Sequence, residues 1–390
     1  MSDVYIVGAC RTAVGSFNGQ FEKHSAVELG TVAIAEAVKR ANLQPQDVDQ
    51  VIMGQVLTAG QGQNPARQAA LGAKIPICSS AYTLNLLCGS GLKTVAIGYQ
   101  GIKNGDYEII VAGGQENMTR AEHSAYLRNA KLGNFNLADT LFRDGLHDAF
   151  TKDAHMGVTA ENVVQKYNIS REAQDAFACE SQNRTEKAVN QGAFEKEIVG
   201  VPDKKTGNLI TRDEFPKFGT TVEKLAEYKA RFVPNGSVTA GNASGINDGA
   251  AAVVLVSEKQ LKQRQLKPLA RIVGYAEAGC EPMIMGMGPV GAVNNLLKKI
   301  GWSKDEVDLY ELNEAYAGVS IAVNNELGVD PSKVNVAGGS LSLGHPLGCS
   351  GTRVLVTLIY NLQRLNLKKG VASLCIGGGM GIALAVEVLN

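Results

Sequence analysis

Apolar residues along the chain fall into two patterns. Short runs such as Val4-Tyr5-Ile6-Val7 and Ala250-Ala251-Ala252-Val253-Val254-Leu255-Val256 are strand-sized and read as buried strands. Between such runs lie amphipathic stretches, including those ending at Val38-Lys39-Arg40 and Leu297-Lys298-Lys299. Strands alternating with helices predict an α/β architecture in which helices cover the sheets. No apolar run approaches the ~20 residues that span a bilayer.

The pattern occurs twice. Helix, polar turn and Val48-Asp49 in the first half match helix, polar turn and Val307-Asp308 in the second. Ser90-Gly91 opens an apolar helix that turns at Lys103-Asn104-Gly105 into Ile109-Ile110-Val111-Ala112-Gly113-Gly114. Ser350-Gly351 opens another that turns at Lys368-Lys369-Gly370 into Leu374-Cys375-Ile376-Gly377-Gly378. Ile6-Val7-Gly8 pairs with Ile272-Val273-Gly274, and the order is kept at an offset of about 260 residues. Two copies of one β-α-β-rich unit are therefore expected. The first comprises residues 1–118 plus 237–266, and the second comprises 267–390. Residues 119–236 read as an insertion into the first copy, carrying one helix over 160–190 whose charges suit a solvated face.

Composition narrows the function classes. The 390 residues carry 38 basic and 38 acidic side chains, so no broad positive field invites nucleic acid or an anionic membrane. The amino terminus has no signal or transit pattern, and a cytoplasmic protein is expected. The seven cysteines are widely spaced without C-x-x-C, which argues against a disulfide framework and a zinc site.

Candidate chemistry gathers at matching loops. Cys88, in Asn85-Leu86-Leu87-Cys88-Gly89-Ser90-Gly91, stands on a strand-to-helix turn, where the helix dipole favours thiolate. Alone it reads equally as a nucleophile or a buried small hydrophobe. His345, in Gly344-His345-Pro346-Leu347-Gly348, stands on the equivalent loop of the second copy. If the copies pack about a pseudo-two-fold axis, the loops converge and the imidazole reaches the thiol. Cys375 precedes Gly377-Gly378-Gly379, whose bare backbone offers oxyanion donors. Asn313 ends another strand, either holding a water or amide donor at this place or simply closing a turn, and Glu314 is a buried carboxylate or an orienting partner. Gly286-Met287-Gly288-Pro289-Val290-Gly291 matches a dinucleotide fingerprint but follows a poor strand, and Cys349 aligns with Gly89 rather than Cys88.

Taken together, these segments resemble the thiolase family across essentially the whole chain. The match includes residues 85–91, Gly113-Gly114-Gln115-Glu116-Asn117-Met118, residues 240–249, Asn313-Glu314-Ala315-Tyr316-Ala317, residues 344–351 and residues 375–381, in family order. The chain is most similar to the short-chain, biosynthetic type. The resemblance implies a five-layered α-β-α-β-α fold with an inserted loop domain. It also implies an acyltransferase that reversibly joins two acetyl-CoA into acetoacetyl-CoA and CoA. Cys88 would be acylated after activation by His345, and Cys375 would deprotonate the second acetyl-CoA. One oxyanion hole would use His345 and a water on Asn313, and the other the N–H groups of Cys88 and Gly377.

By the same resemblance, Ser244 would meet the pantetheine arm. Leu146, His155, Phe232, Ala243, Ala315 and Tyr316 would line the tunnel, and Met156 and Met285 would crowd the acyl pocket. Lys217 would approach the adenine and phosphate end, and Leu127 to Gly133 would form a tetramerisation loop of a homotetramer. No metal or redox cofactor, nucleic-acid partner or membrane is implied. Departures from the family are Tyr316 for Phe, Gln115 for Met, Lys217 for Arg, Cys349 for Ala and a longer loop at 151–154. A ketoacyl synthase relative acting on carrier-protein thioesters and a non-catalytic acyl-CoA-binding paralogue are the competing readings. Cys375 and Asn313 argue against the first, and retention of all four catalytic side chains argues against the second.

Overall fold

The computed structural model describes residues 3–151 and 154–389; Lys152 and Asp153 of the longer loop lie outside them. Nine strands form one sheet: β1 (Val4–Thr12), β2 (Gln50–Gly54), β3 (Ser80–Leu84), β4 (Ile109–Asn117), β5 (Asn247–Ser257), β6 (Ala270–Gly279), β7 (Leu309–Leu312), β8 (Lys369–Ile376) and β9 (Met380–Val388). Their order is β7-β8-β9-β6-β1-β5-β4-β2-β3, with the two-residue strands Gly15–Ser16 and Ile198–Val199 added off this path. Only Tyr5↔Arg271 and Ile6↔Ala270 join β1 to β6. On either side of that seam the order repeats. β1-β5-β4-β2-β3 is matched by β6-β9-β8-β7 and a bridge from Tyr310 to Val334.

Small details are duplicated as well. The register slips between Ile6 and Gly8 in β1 and between Ile272 and Gly274 in β6. Asp49 accepts from the N–H groups of Glu108 and Ile109 at 2.9 and 2.8 Å. Asp308 accepts from those of Lys368 and Lys369 at 3.0 and 2.8 Å. Each aspartate thus satisfies two donors at the start of a strand that begins after a helix.

The helices of eight or more residues are α1 (Ala26–Arg40), α2 (Pro65–Gly72), α3 (Ser90–Asn104), α4 (Met156–Lys166), α5 (Arg171–Asn190), α6 (Gly288–Ile300), α7 (Ala317–Leu327) and α8 (Leu347–Arg364). Strand alternation divides the apolar side chains among three cores. Ala251, Val253 and Leu255 of β5 and Ile382, Leu384 and Val386 of β9 share a central core with Val95 of α3 and Leu355 of α8. Ala252 and Val254 face the other way, onto Leu29 and Ile34 of α1. Ala383 and Ala385 face Leu296 of α6 and Val323 of α7. The stack is therefore α1/α2, sheet, α3/α8, sheet, α6/α7. This is the five-layered α-β-α-β-α stack that the resemblance implied.

At the centre the two middle helices cross on glycine. A Cβ on Gly91 would lie 2.8 Å from Thr352 N, and one on Gly351 would lie 2.9 Å from the carbonyl carbon of Gly91. Only two bare backbones pass this closely, and the passage sets the starts of α3 and α8 side by side.

Between β4 and β5 the chain leaves the sheet and returns. The single helix expected over 160–190 is two, α4 and α5. Asn168 takes a left-handed φ of 52° after α4, and Ser170 caps α5 by accepting from Ala173 N at 3.2 Å. The charge pattern continued across this break, so the pattern alone concealed it. Among the described residues no helix is long and apolar enough to cross a membrane.

Candidate active site

Cys88 stands between β3 and α3. Leu87 holds a left-handed φ of 48°, rare for a residue with a branched side chain. Asn85 Oδ1 accepts from Leu87 N at 2.9 Å. Ser90 Oγ accepts from Leu86 N at 2.8 Å and donates to Leu87 O at 2.6 Å. The turn is thereby locked, and it delivers a buried thiol that accepts from the N–H groups of Cys88 itself and of Gly377. The dipole argument from sequence predicted a thiolate; instead burial outweighs those donors and pushes the thiol up to about 12.

His345 stands just before α8. Its N–H donates to Asn247 Oδ1 at 2.9 Å, and Asn247 Nδ2 donates to Gly15 O at 2.9 Å. Ser350 Oγ donates to Pro346 O at 2.8 Å, so it accepts from His345 Nδ1–H at 2.6 Å. That assignment leaves Nε2 as the bare, basic nitrogen, 3.4 Å from Asn313 Nδ2. Burial, then the charge of Arg353, holds the imidazole down at about 3, so it rests neutral.

Cys375 is the penultimate residue of β8, and burial followed by the nearby Cys88 raises its thiol well above the ordinary range. Gly378 and Gly379 turn the chain with φ of 85° and 86°. A Cβ on Gly89 would lie 2.5 Å from Ile376 Cδ1, so the first copy's loop abuts the end of β8. Leu347 packs in one apolar cluster with Cys88, and Asn313 N donates to Ser373 O at 2.9 Å. Cys88, Gly377 and Cys375 are thus brought together, as are His345 and Asn313, and Leu347 and Ser373 tie the second group to the first.

The other expected contacts surround it. Met156, Met285, Ala243, Ala315 and Tyr316 share a core with Cys375, and Phe232 packs against it. His155 stacks on Phe232 at 4.8 Å, and Phe232 meets Tyr316 edge-on at 6.1 Å. Leu146 packs on the cluster that holds Cys88, and half-buried Ser244 donates its N–H to Ala315 O at 3.0 Å. Lys217 lies farther out, in a cavity of about 190 Å³ with Ala243, Phe218 and Tyr228, its ammonium over the Phe215 and Tyr228 rings.

Buried carboxyls tie these loops together. Glu116 accepts from Val56 N, Leu57 N and Gly348 N, and burial pushes it up to about 7. Glu314 accepts from Ser181 Oγ, Asn335 Nδ2 and Leu341 N, so of its two sequence readings it is the buried carboxyl that orients its neighbours. Cys349 packs in the central core, and Gly288 backs onto Met380 and Gly381 as a helix–strand contact. Sequence reasoning gave no role to Ser350, Ser340, Arg353 and Asn247; Ser350 and Asn247 lay inside quoted motifs, but their partners are set only by folding. Among the described residues no group of three or more His, Cys, Asp or Glu side chains could hold a metal ion.

Comparison with known proteins agrees with this geometry. Residues 4–259 match the family "Thiolase, N-terminal domain" and 266–388 match "Thiolase, C-terminal domain". The chain is 51% identical to the mouse cytosolic acetyl-CoA acetyltransferase over 389 residues, covering 98% of each. It is 52% identical to the acetyl-CoA acetyltransferase of Pseudomonas aeruginosa over 391 residues, covering 99% of each. The crystal structure of the Bacillus anthracis acetyl-CoA acetyltransferase superposes with a TM-score of 0.97 at 42% identity, covering 100% of this chain and 99% of that one. With its two copies, crossed helices and paired thiols, the chain belongs to the thiolase family.

Proposed function

We infer that the chain is an acyltransferase that condenses two acetyl-CoA into acetoacetyl-CoA and CoA, reversibly, through acetyl-Cys88. His345 Nε2 takes the Cys88 proton as the sulfur attacks the first thioester. The N–H groups of Cys88 and Gly377 receive the oxyanion. The departing CoA thiolate takes the proton of Cys375 and leaves as thiol. The Cys375 thiolate, beside an imidazolium, then removes a methyl proton from the second acetyl-CoA. His345 and Asn313, directly or through a water, stabilise the enolate oxygen. The enolate carbon attacks acetyl-Cys88, and the expelled Cys88 sulfur recovers its proton from His345. All groups return to their starting states.

The reading is supported by two neutral buried thiols close enough to act on one another, and by an imidazole with a bare Nε2 on the loop whose Leu347 packs with Cys88. Neutral resting groups suit a cycle that passes one proton at a time. The cycle draws on side chains and backbone alone, with coenzyme A as substrate and product. Ser244 would meet the pantetheine arm, Leu146, His155, Phe232, Ala243, Ala315 and Tyr316 would wall the tunnel, and Lys217 would approach the nucleotide end. Met156 and Met285 would limit the acyl group to short chains. The segment between β4 and β5 would serve as the CoA-binding inserted domain of a first unit (1–118 plus 237–266), with 267–390 as the second. Exposed Leu127 and Leu132 suit a homotetramer contact, in a cytoplasmic enzyme. The test is cleavage of acetoacetyl-CoA by CoA, followed by loss of enolate absorbance. Cys375→Ala should still acquire an acetyl group from acetyl-CoA by mass spectrometry yet form no acetoacetyl-CoA. An uncleaved substrate with the wild-type protein would refute the reading.

A further inference from the structure

Asn313 can present either end of its carboxamide to the reaction centre, and only the N–H end can stabilise an enolate oxygen. What decides the orientation lies behind it. Ser340 Oγ is 2.6 Å from Asn313 Oδ1, and Arg353 Nη2 is 2.8 Å from Ser340 Oγ. All three residues are buried. A guanidinium has no acceptor, so it forces the serine oxygen to accept from it. The one hydroxyl proton is then free to be donated, and the carboxamide atom that receives it must be oxygen. The N–H end is left facing His345 Nε2 at 3.4 Å.

The arginine is poorly explained as an ion pair alone. Its contact with Glu311 is 3.4 Å, longer than that with Ser340, and its Nε has no partner among the described residues. Burial pushes Glu311 up to about 8, so that carboxyl is mostly neutral near pH 7. Arg353 also stands one helical turn beyond Ser350 on α8. One face of one helix therefore sets both partners: Ser350 fixes the imidazole of His345, and Arg353 fixes the amide of Asn313 through Ser340.

We propose that Arg353 is a positioning residue for the condensation, acting through Ser340 to hold the Asn313 amide with its N–H end toward the reacting oxygen. The proposal rests on the thiolase reading above. Arg353→Gln, which can accept as well as donate, should lower kcat for acetoacetyl-CoA thiolysis about 10²-fold with KM within twofold, the scale of losing one oxyanion donor. Arg353→Lys keeps a donor-only head and should retain kcat within about tenfold of wild type. Ser340→Ala should match Arg353→Gln, with acetylation of Cys88 still detected. In an Asn313→Ala background Ser340→Ala should cost no more than a further twofold, because the relay then has no end. Should Ser340→Ala not fold, judged by circular dichroism, Ser340→Cys, of similar shape and a weaker donor, gives the same comparison with a smaller loss. A kcat within twofold of wild type in Ser340→Ala, equal losses in Arg353→Lys and Arg353→Gln, or an undiminished Ser340 effect without Asn313 would overturn the relay. A wild-type protein that cleaves no acetoacetyl-CoA would instead sink the functional reading, and the relay's catalytic part with it.

Discussion

Ser90 and Ser350 occupy matching places at the starts of α3 and α8, in Cys88-Gly89-Ser90-Gly91 and Gly348-Cys349-Ser350-Gly351. Each donates its hydroxyl proton to a loop carbonyl, Leu87 O at 2.6 Å and Pro346 O at 2.8 Å. What each accepts differs. Ser90 takes a backbone N–H and so shapes the loop beneath a thiol, whereas Ser350 takes an imidazole N–H and so selects a tautomer. The frame is symmetric and the chemistry is not. In the function proposed above, one copy would present the nucleophile and the other the base, with only a few side chains differing on equal loops.

The comparison can be broken most sharply at the thiols. Cys88→Ala should reduce turnover at least about 10⁴-fold, as expected for loss of a nucleophile. Cys349→Ala, at the neighbouring position of the matching loop, should leave kcat within twofold in the thiolysis assay. Next is the crossing that makes the loops meet. Gly351→Ala should destabilise the fold by about 3 kcal/mol in urea unfolding, since backbone rather than a flexible side chain stands in the way.

Titration separates the copies further. His345 has Asn85 as its counterpart, so only the second loop carries a group that titrates in acid. The unfolded imidazole binds a proton below its ordinary value of 6.5, while the folded one waits until about 3. Its contribution is therefore complete above pH 6.5 and is lost as pH falls toward 3. Between pH 6.5 and 5 it should amount to about 2 kcal/mol, read as a shallower pH dependence of unfolding in His345→Asn. The smallest effect sharpens the likeness. Asp49→Ala and Asp308→Ala should each cost about 1 kcal/mol, and nearly equally, because each removes the same two-donor cap.

The duplication was legible because its marks are local. Val48-Asp49 and Val307-Asp308 precede a strand in both copies, and Gly8 and Gly274 follow the same register slip. The edge bridge at Val334 escaped notice, since one bridging residue leaves no run to read. The division of 160–190 was hidden by Asn168, whose left-handed turn interrupts no charge pattern. In the site, the loop bearing Cys88 could be identified, but the state of its thiol could not, because burial depends on what the other copy brings. The same holds for Arg353. It sits in the buried part of its helix, and its partner Ser340 gains meaning only from a proton count across three side chains.

The glycine crossing has a bearing on how such a chain can change. With Gly91 and Gly351 each seated against the other's main chain, neither half can shift along the shared axis without dislodging both reactive loops. New sequence can therefore accumulate only where the polypeptide departs from the layers altogether. The excursion between Asn117 and Asn247 is such a place, where a lineage can add and change sequence while the crossing stays put.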